Sequence, residues 1–295
     1  NIYNQVIKIC TKNKIKISII LPEELKNNES YISYYKNSDL NIINYDCDDI
    51  WIRDYCPKVF FINNQKNFIN YEFNAYGGKY PFTKDNNFKS FFTKKRQNIF
   101  LNDLVIEGGN IELSANGTLL TNIQCIEKNN SMDKKEVLDQ LSTFRNKVGI
   151  KEVFCIESEG IAGDDTNGHI DNLIRFVNDE TLVYMSSNDK EYVNYHLLKE
   201  INMQLEIIKK KSLSIKNIIK VNHNDTDTFE YRNCIYPYSK LNFLLTRNNL
   251  ILPALKHNHQ SLNNTVDNLR FKNISYLECE ASLKEFGGLH CLTAN

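Results

Sequence analysis

Gly163-Asp164-Asp165-Thr166-Asn167-Gly168-His169-Ile170-Asp171-Asn172 packs three carboxylates and one imidazole around two glycines. The apolar run that follows reads as a strand over residues 170–177. Successive side chains of a strand point to opposite faces, so His169 and Asp171 are expected on one face, sharing one site. Asp165 lies in the turn leading in, either as a turn-capping acid or as a group facing a ligand. Three other segments have the same character: Trp51-Ile52-Arg53-Asp54, Glu107-Gly108-Gly109-Asn110 and Gly287-Gly288-Leu289-His290-Cys291. Together they supply a thiol, histidines and several acids, most of them beside glycine. These are the parts needed to attack a cationic carbon.

Outward from these segments, short strands alternate with helices, which places the chain in the α/β class. Strands are expected at 15–21, 59–62, 68–73, 151–156, 170–177, 181–185 and 274–279, with others near Ile218 and Asn242. Residues 103–107, 110–114 and 118–121 read as three strands joined by Gly-Gly and Asn-Gly turns. A helix over 131–148 presents Val137, Leu141, Phe144 and Val148 on one face, with Ser131 as its cap and Gly149 as its stop. Longer and weaker helical patterns cover 190–210 and 258–271. The rhythm is that of a strand–strand–helix–strand unit used repeatedly, although no repeat is visible in the residues themselves. Five prolines and no Ser/Gly-rich linker argue for a single domain over 1–295.

The bulk numbers exclude several classes. Lys plus Arg and Asp plus Glu both total 36, so the formal net charge is zero, and no basic field exists to bind nucleic acid or an anionic membrane. Charged residues or Asn interrupt every apolar run before it reaches bilayer length. Eight cysteines are scattered, without a Cys-x-x-Cys pair, through a chain of 41% hydrophobic residues. Buried free thiols in a reducing cytoplasm fit that pattern better than a disulfide framework. The Gly-Gly pairs do not form a phosphate-cradling loop.

Each candidate has a plain structural alternative. Cys291 is a nucleophile or a small apolar residue finishing a terminal strand. His169 is an acid–base group or a satisfied structural histidine. Asp54 either meets a substrate or pairs with Arg53 ahead of Pro57, and Glu107 is either a site carboxylate or a surface acid before a hairpin. Trp51 and Tyr76 are core aromatics or stack on a cation, which would contribute roughly 0.5–2 kcal/mol each. His169, Asp171, His290 and Cys291 could ligate zinc in principle, but no His-Glu-x-x-His helix accompanies them, and no metal is expected. Taken together, the acids, imidazole and thiol suit a planar guanidinium, with carboxylates for its nitrogens and a soft nucleophile for its carbon.

The four segments, in this order, resemble the agmatine deiminase family, relatives of the bacterial-type peptidylarginine deiminases in the guanidine-modifying superfamily. Asp164-Asp165-Thr166-Asn167-Gly168-His169-Ile170-Asp171-Asn172 is the most specific match; Glu107-Gly108-Gly109-Asn110 and Gly288-Leu289-His290-Cys291-Leu292-Thr293 are strong. Cys56 and Phe286 stand where the family has glycine, Tyr76 stands where it usually has Trp, and its opening Trp-rich segment is absent. The resemblance implies a pentein fold, a five-bladed pseudo-symmetric α/β propeller, here with an incomplete first blade. It implies Cys291 as nucleophile, His169 as acid and base, Glu107 as its orienting group, and Asp54 and Asp171 on the guanidinium. Asp165 would meet the distal ammonium of agmatine, beside Trp51 and Tyr76. Neither Arg175 nor Arg232 makes a convincing clamp for a substrate carboxylate. No organic cofactor is implied, and a homodimer is left open. A peptidylarginine or arginine deiminase and a non-catalytic pentein binding protein are the competing readings.

Overall fold

The computed structural model describes residues 2–29, 40–62, 65–93, 98–246, 248–256, 271 and 273–294. An opening helix, Ile2–Lys12, precedes a parallel pair, β1 (Ile17–Leu21) and β2 (Leu40–Asn44). Next comes the sheet of β3 (Lys58–Ile62), β4 (Gln65–Glu72) and β5 (Asn98–Val105). It is followed by β6 (Glu112–Leu113), β7 (Thr118–Asn122) and β8 (Glu152–Ile156), and then by β9 (Ile174–Asn178), β10 (Thr181–Ser186) and β11 (Asn217–Asn222). A small hairpin, β12 (Phe229–Tyr231) and β13 (Cys234–Tyr236), leads to the last sheet, β14 (Leu244–Leu245), β15 (Asn249–Ala254) and β16 (Asn273–Glu278).

The four three-stranded sheets share one plan. Their first two strands are antiparallel neighbours, and the third returns parallel to the second. A parallel return needs a crossover, and two of these crossovers are long amphipathic helices. Lys134–Val148 buries Val137, Leu141, Phe144 and Val148 against Leu104, Ile106, Leu119 and Ile123, the stripe its periodicity predicts. Tyr195–Lys211 buries Leu198, Ile201, Leu205 and Ile208 in a larger core that joins β7, β9, β10 and β15.

Several boundaries differ from the sequence reading. Asp133, not Ser131, caps the first long helix: it accepts from the Glu136 N–H at 2.9 Å, and the Glu136 carboxylate accepts from the Asp133 N–H at 2.9 Å. Ser131, at φ 52°, instead closes a helix over Ile123–Asn130 that the apolar run Ile123-Gln124-Cys125-Ile126 had not revealed. The second long helix starts at Tyr195 rather than 190, because Ser187 and Asp189 tie up the backbone N–H groups of Asp189 and Glu191. The helix expected over 258–271 falls almost wholly outside the described residues.

The corrections that bear on function concern 108–110 and 170–172. Both are single 3-10 turns, where a Gly-Gly turn opening a strand at 110 and a strand from 170 were expected. A single α-helical turn, Ile52–Tyr55, stands ahead of β3, and Asn242 closes a turn onto Ser239 ahead of β14. Each three-stranded sheet is therefore entered through one tight turn, and Trp51, Asp54, Glu107, His169 and Asp171 lie on these turns or at their starts.

Replacing Asp133 with Ala is expected to lower stability by about 1 kcal/mol in urea unfolding, the ordinary cost of a lost helix cap. Ser131→Gly should be neutral or stabilising, because a left-handed backbone suits glycine.

Candidate active site

The entry turns pack so closely that two of them exclude side chains. A Cβ on Gly108 would lie 2.0 Å from the Arg53 carbonyl oxygen, and one on Gly109 would lie 2.5 Å from His169 Nδ1 and 2.7 Å from Asp54 Oδ1. The Gly-Gly pair is required by this close approach rather than by a hairpin turn. With the side chain absent, the Gly109 N–H donates to Asp54 Oδ1 at 2.9 Å.

His169 sits fully buried between two acids. Its Nε2 is 2.8 Å from Glu107 Oε2, and its Nδ1 is 3.5 Å from Asp54 Oδ1. Burial alone would lower its pKa, but the Asp54 charge and the contacts with Cys125 and Glu107 outweigh burial and hold the imidazole well above its usual value. Asp54 is pushed up to about 7 by burial, reinforced by Asp171 and Glu107 and opposed by His169. The Tyr76 hydroxyl donates to Asp54 Oδ2 at 3.0 Å, and the Tyr76 N–H donates to Glu107 Oε1 at 3.0 Å. Ala75 and Tyr76 hold left-handed φ values of 51° and 60° to present these donors, a backbone strain at the site itself.

Cys291 is brought in from the far end of the chain. Its carbonyl accepts from the Arg53 N–H at 3.2 Å, and its Sγ accepts from Asn242 Nδ2 at 3.4 Å. Asn242 is locked in turn: it donates to Asn172 Oδ1 at 2.9 Å and accepts from the His290 N–H at 2.7 Å. A Cβ on Gly288 would strike Asn242 Oδ1 at 2.3 Å, and one on Gly287 would strike the Trp51 indole at 2.3 Å. The thiol of Cys291 is pushed strongly up by burial, and the Asp171 and Asp54 charges add to this.

Asp171 does not share a face with His169, because the segment is a 3-10 turn. It turns instead to His290, whose Nδ1 lies 2.6 Å from Asp171 Oδ2. Burial and the charges of Arg175, Arg53 and Lys58 hold His290 well below its usual pKa, so this contact is a neutral imidazole donating to a carboxylate. The second oxygen, Asp171 Oδ1, is buried without a hydrogen-bond partner.

Above these groups opens a cavity of about 490 Å³, lined by Trp51, Asp54, Tyr76 and Cys291 at its base and by Asp49, Asp165 and Glu285 among the residues of its walls. Among the described residues, four carboxylates line it and no Lys or Arg does. The structure separates the two acids of the turn. Asp164 is the capping residue, accepting from Thr166 Oγ1 at 2.7 Å and the Gly168 N–H at 2.8 Å. Asp165 faces the cavity, where it accepts from the Tyr80 hydroxyl at 3.0 Å. Arg175 is committed to Glu112 at 2.7 Å, and Arg232 stacks on Tyr231 outside the cavity. Phe286 takes a left-handed φ of 66° where the resembled family has glycine.

Three contributors escaped the sequence reading: Asn242, Cys125 and Asn129. Asn129 Nδ2 donates to Glu107 Oε2 at 2.7 Å, from the helix that went unrecognised. Asn242 had a findable signal, since it stands ahead of β14 as Asp54 stands ahead of β3 and Asp171 ahead of β9.

The family model for Porphyromonas-type peptidyl-arginine deiminases matches residues 1–295. The chain belongs to that family. A relative from Legionella pneumophila (strain Paris), provisionally named an agmatine deiminase, is 26% identical over 282 residues, covering 90% of this chain and 78% of its own. A crystal structure provisionally named a peptidyl-arginine deiminase is 25% identical with a TM-score of 0.85, covering 99% of this chain and 87% of that one. A substrate-bound agmatine deiminase from C. jejuni shares the fold at a TM-score of 0.82 and 23% identity, covering 98% of this chain and 84% of that one. The α/β architecture is thus that of this deiminase family.

An aspartate whose pKa rises from 3.8 to about 7 on folding costs the folded state stability as pH climbs through that window. Asp54→Asn keeps an acceptor for the Gly109 N–H and removes the charge, although His169 then loses one of its partners. At pH 8 the variant is expected to be more stable by roughly 1–3 kcal/mol, from about 1.4 kcal/mol per pKa unit. The advantage should shrink as pH falls below 7, where Asp54 carries its own proton. Thermal unfolding across pH 5–8 measures both effects.

Proposed function

We propose that the chain hydrolyses agmatine to N-carbamoylputrescine and ammonia through a covalent adduct on Cys291. The observation that carries this reading is the cavity itself: a buried thiol and Asp54 at its base, four carboxylates and no cation among the described residues of its lining, and His169–Glu107 directly behind. A dication fits such a lining better than a substrate that carries a carboxylate. Relatives named for agmatine deimination support the same choice.

In this mechanism the guanidinium lies between Asp54 and Asp171, and its N–H groups supply the partner that the buried Asp171 Oδ1 lacks. Its positive charge offsets the two carboxylates that hold the Cys291 thiol up, so the thiol loses its proton to solvent as substrate enters. Sγ attacks the guanidinium carbon. The carbon–nitrogen bond breaks, and the departing ammonia takes the proton of the His169 imidazolium. Neutral His169, oriented by Glu107, next removes a proton from water. The resulting hydroxide attacks the same carbon, the carbon–sulfur bond breaks to restore the thiolate, and the hydroxyl proton leaves to solvent to give the urea carbonyl. Asp165 receives the distal ammonium, Trp51 flanks the alkyl chain, and Tyr76 holds Asp54 in place through its hydroxyl.

The same reading extends to architecture and setting. Four sheets of one plan plus the parallel pair β1–β2 support five blades in a single catalytic domain, the first with two strands among the described residues. No described helix is long and apolar enough to cross a membrane, and all eight cysteines are free, which suits a reducing compartment.

Ammonia release with agmatine, free arginine and a peptidyl-arginine tests the proposal. The expected result is agmatine-selective release that Cys291→Ser abolishes; release from arginine or the peptide alone would replace agmatine as substrate, and none from any of the three would remove the enzyme reading. Asp165→Asn should raise KM for agmatine about tenfold, the equivalent of about 1.4 kcal/mol, with kcat little changed.

A further inference from the structure

Cys125 has no part in the chemistry above, yet its thiol lies against the acid–base pair. Its Sγ is 3.7 Å from Glu107 Oε2, and with His169 it offers three ligand atoms that all lie within 4.8 Å of one another. All three residues are buried. We infer that Glu107, Cys125 and His169 form a zinc-binding site in which the metal takes the place of the proton shared by His169 and Glu107.

The donor set is a fitting one for zinc: one thiolate, one imidazole and one carboxylate. Zinc–sulfur bonds of about 2.3 Å and zinc–nitrogen or zinc–oxygen bonds of about 2.0 Å, at tetrahedral angles, place sulfur about 3.5 Å from oxygen and nitrogen about 3.3 Å from oxygen. The observed sulfur–oxygen separation of 3.7 Å is already close to that spacing. The Nε2–Oε2 separation of 2.8 Å, set now by a hydrogen bond, must open by about half an ångström. Charge also balances. A dication with one thiolate, one carboxylate and a neutral imidazole sums to zero, which suits a buried site. The protons displaced from Cys125 and His169 leave to solvent.

Outer groups are in place as well. The Cys125 thiol lies 3.5 Å from the Thr166 carbonyl, and Asn129 Nδ2 approaches both Glu107 Oε2 at 2.7 Å and Cys125 Sγ at 3.7 Å. Such partners fix the orientation of metal ligands. Thr166 and Asp54 line the cavity and also border His169, so the metal has a way in, and a cavity water can fill the fourth position. Zinc held here occupies the nitrogen through which Glu107 orients the imidazole. The site is therefore inhibitory, and it is distinct from any metal held by the cavity thiol Cys291.

Titrating the Cys291→Ser protein with Zn²⁺ against a chromophoric chelator tests this without relying on turnover. One zinc per chain is expected, and Co²⁺ should give a thiolate-to-metal charge-transfer band on the same protein. Adding Cys125→Ser should weaken zinc binding at least about 100-fold and abolish the band, since loss of an outer partner alone costs 10–100-fold. His169→Ala in the same background, which keeps the thiol, should weaken binding similarly, so the conclusion does not hang on one variant folding. Failure of the Cys291→Ser protein to bind zinc, or binding that survives both further changes, overturns the inference.

Discussion

Everything at the centre of this molecule is arranged around the problem of keeping Asp54, Glu107 and Asp171 together out of water. Three carboxylates in one dry region repel one another, and burial penalises the charge on each. The imidazolium of His169 partly answers this, held charged by Asp54 and Glu107 while it screens them from each other. On the far side, Asp171 depends on a neutral His290 and on the charges of His169, Arg175 and Arg53. The balance is incomplete. Burial pushes Asp54 up to about 7 and Asp171 Oδ1 finds no partner among the described residues, so a cation placed here would offset the cost of both. The stability forgone there is recovered on binding, and a planar cation with several N–H donors recovers most.

Such a cluster can only be assembled if backbones approach closely. Single-turn segments at the entries to four sheets converge, and glycine at 108, 109 and 288 removes the Cβ atoms that would otherwise strike Arg53, His169, Asp54 and Asn242. The sheets need only be rigid enough to hold the turns in register. Short first strands, two residues long in β6 and β14, suffice because the second and third strands carry the core. Precision at the site thus comes from turn-to-turn contacts far apart in sequence, such as the Arg53 N–H on the Cys291 carbonyl.

This explains which features were legible in the sequence. Chemistry-bearing residues announce themselves by type and by neighbouring glycine, so Cys291, His169, Glu107, Asp54 and Asp165 could be named, and the structure brings all five around the cavity or directly behind it. Helix faces such as Val137 to Val148 follow from period alone. What could not be read is geometry set by packing. A one-turn 3-10 element and the first residues of a strand have the same apolar spelling, so the placement of Asp171 beside His169 failed although both residues belong to the site. Asn129 and Cys125 carry no signal in their own neighbourhoods, because their work depends on contacts 22 and 18 positions away, and Asn242, whose contact lies 49 positions away, shows itself only by its place ahead of β14.

Two buried thiols in one region, with pKa values raised by the same cause, show how far position decides chemistry. Burial pushes Cys125 up to about 12 and Cys291 beyond that. Cys291 lines the cavity, so in the proposed mechanism an arriving cation reaches it and offsets the influence of Asp54 and Asp171. Cys125 faces His169 and Glu107 from behind, where no substrate atom arrives, and only a small, doubly charged ion can supply the charge that its thiolate needs. The same desolvation therefore makes one sulfur responsive to a guanidinium and leaves the other responsive to a metal, and the imidazole between the two carboxylates is the group through which either event is felt.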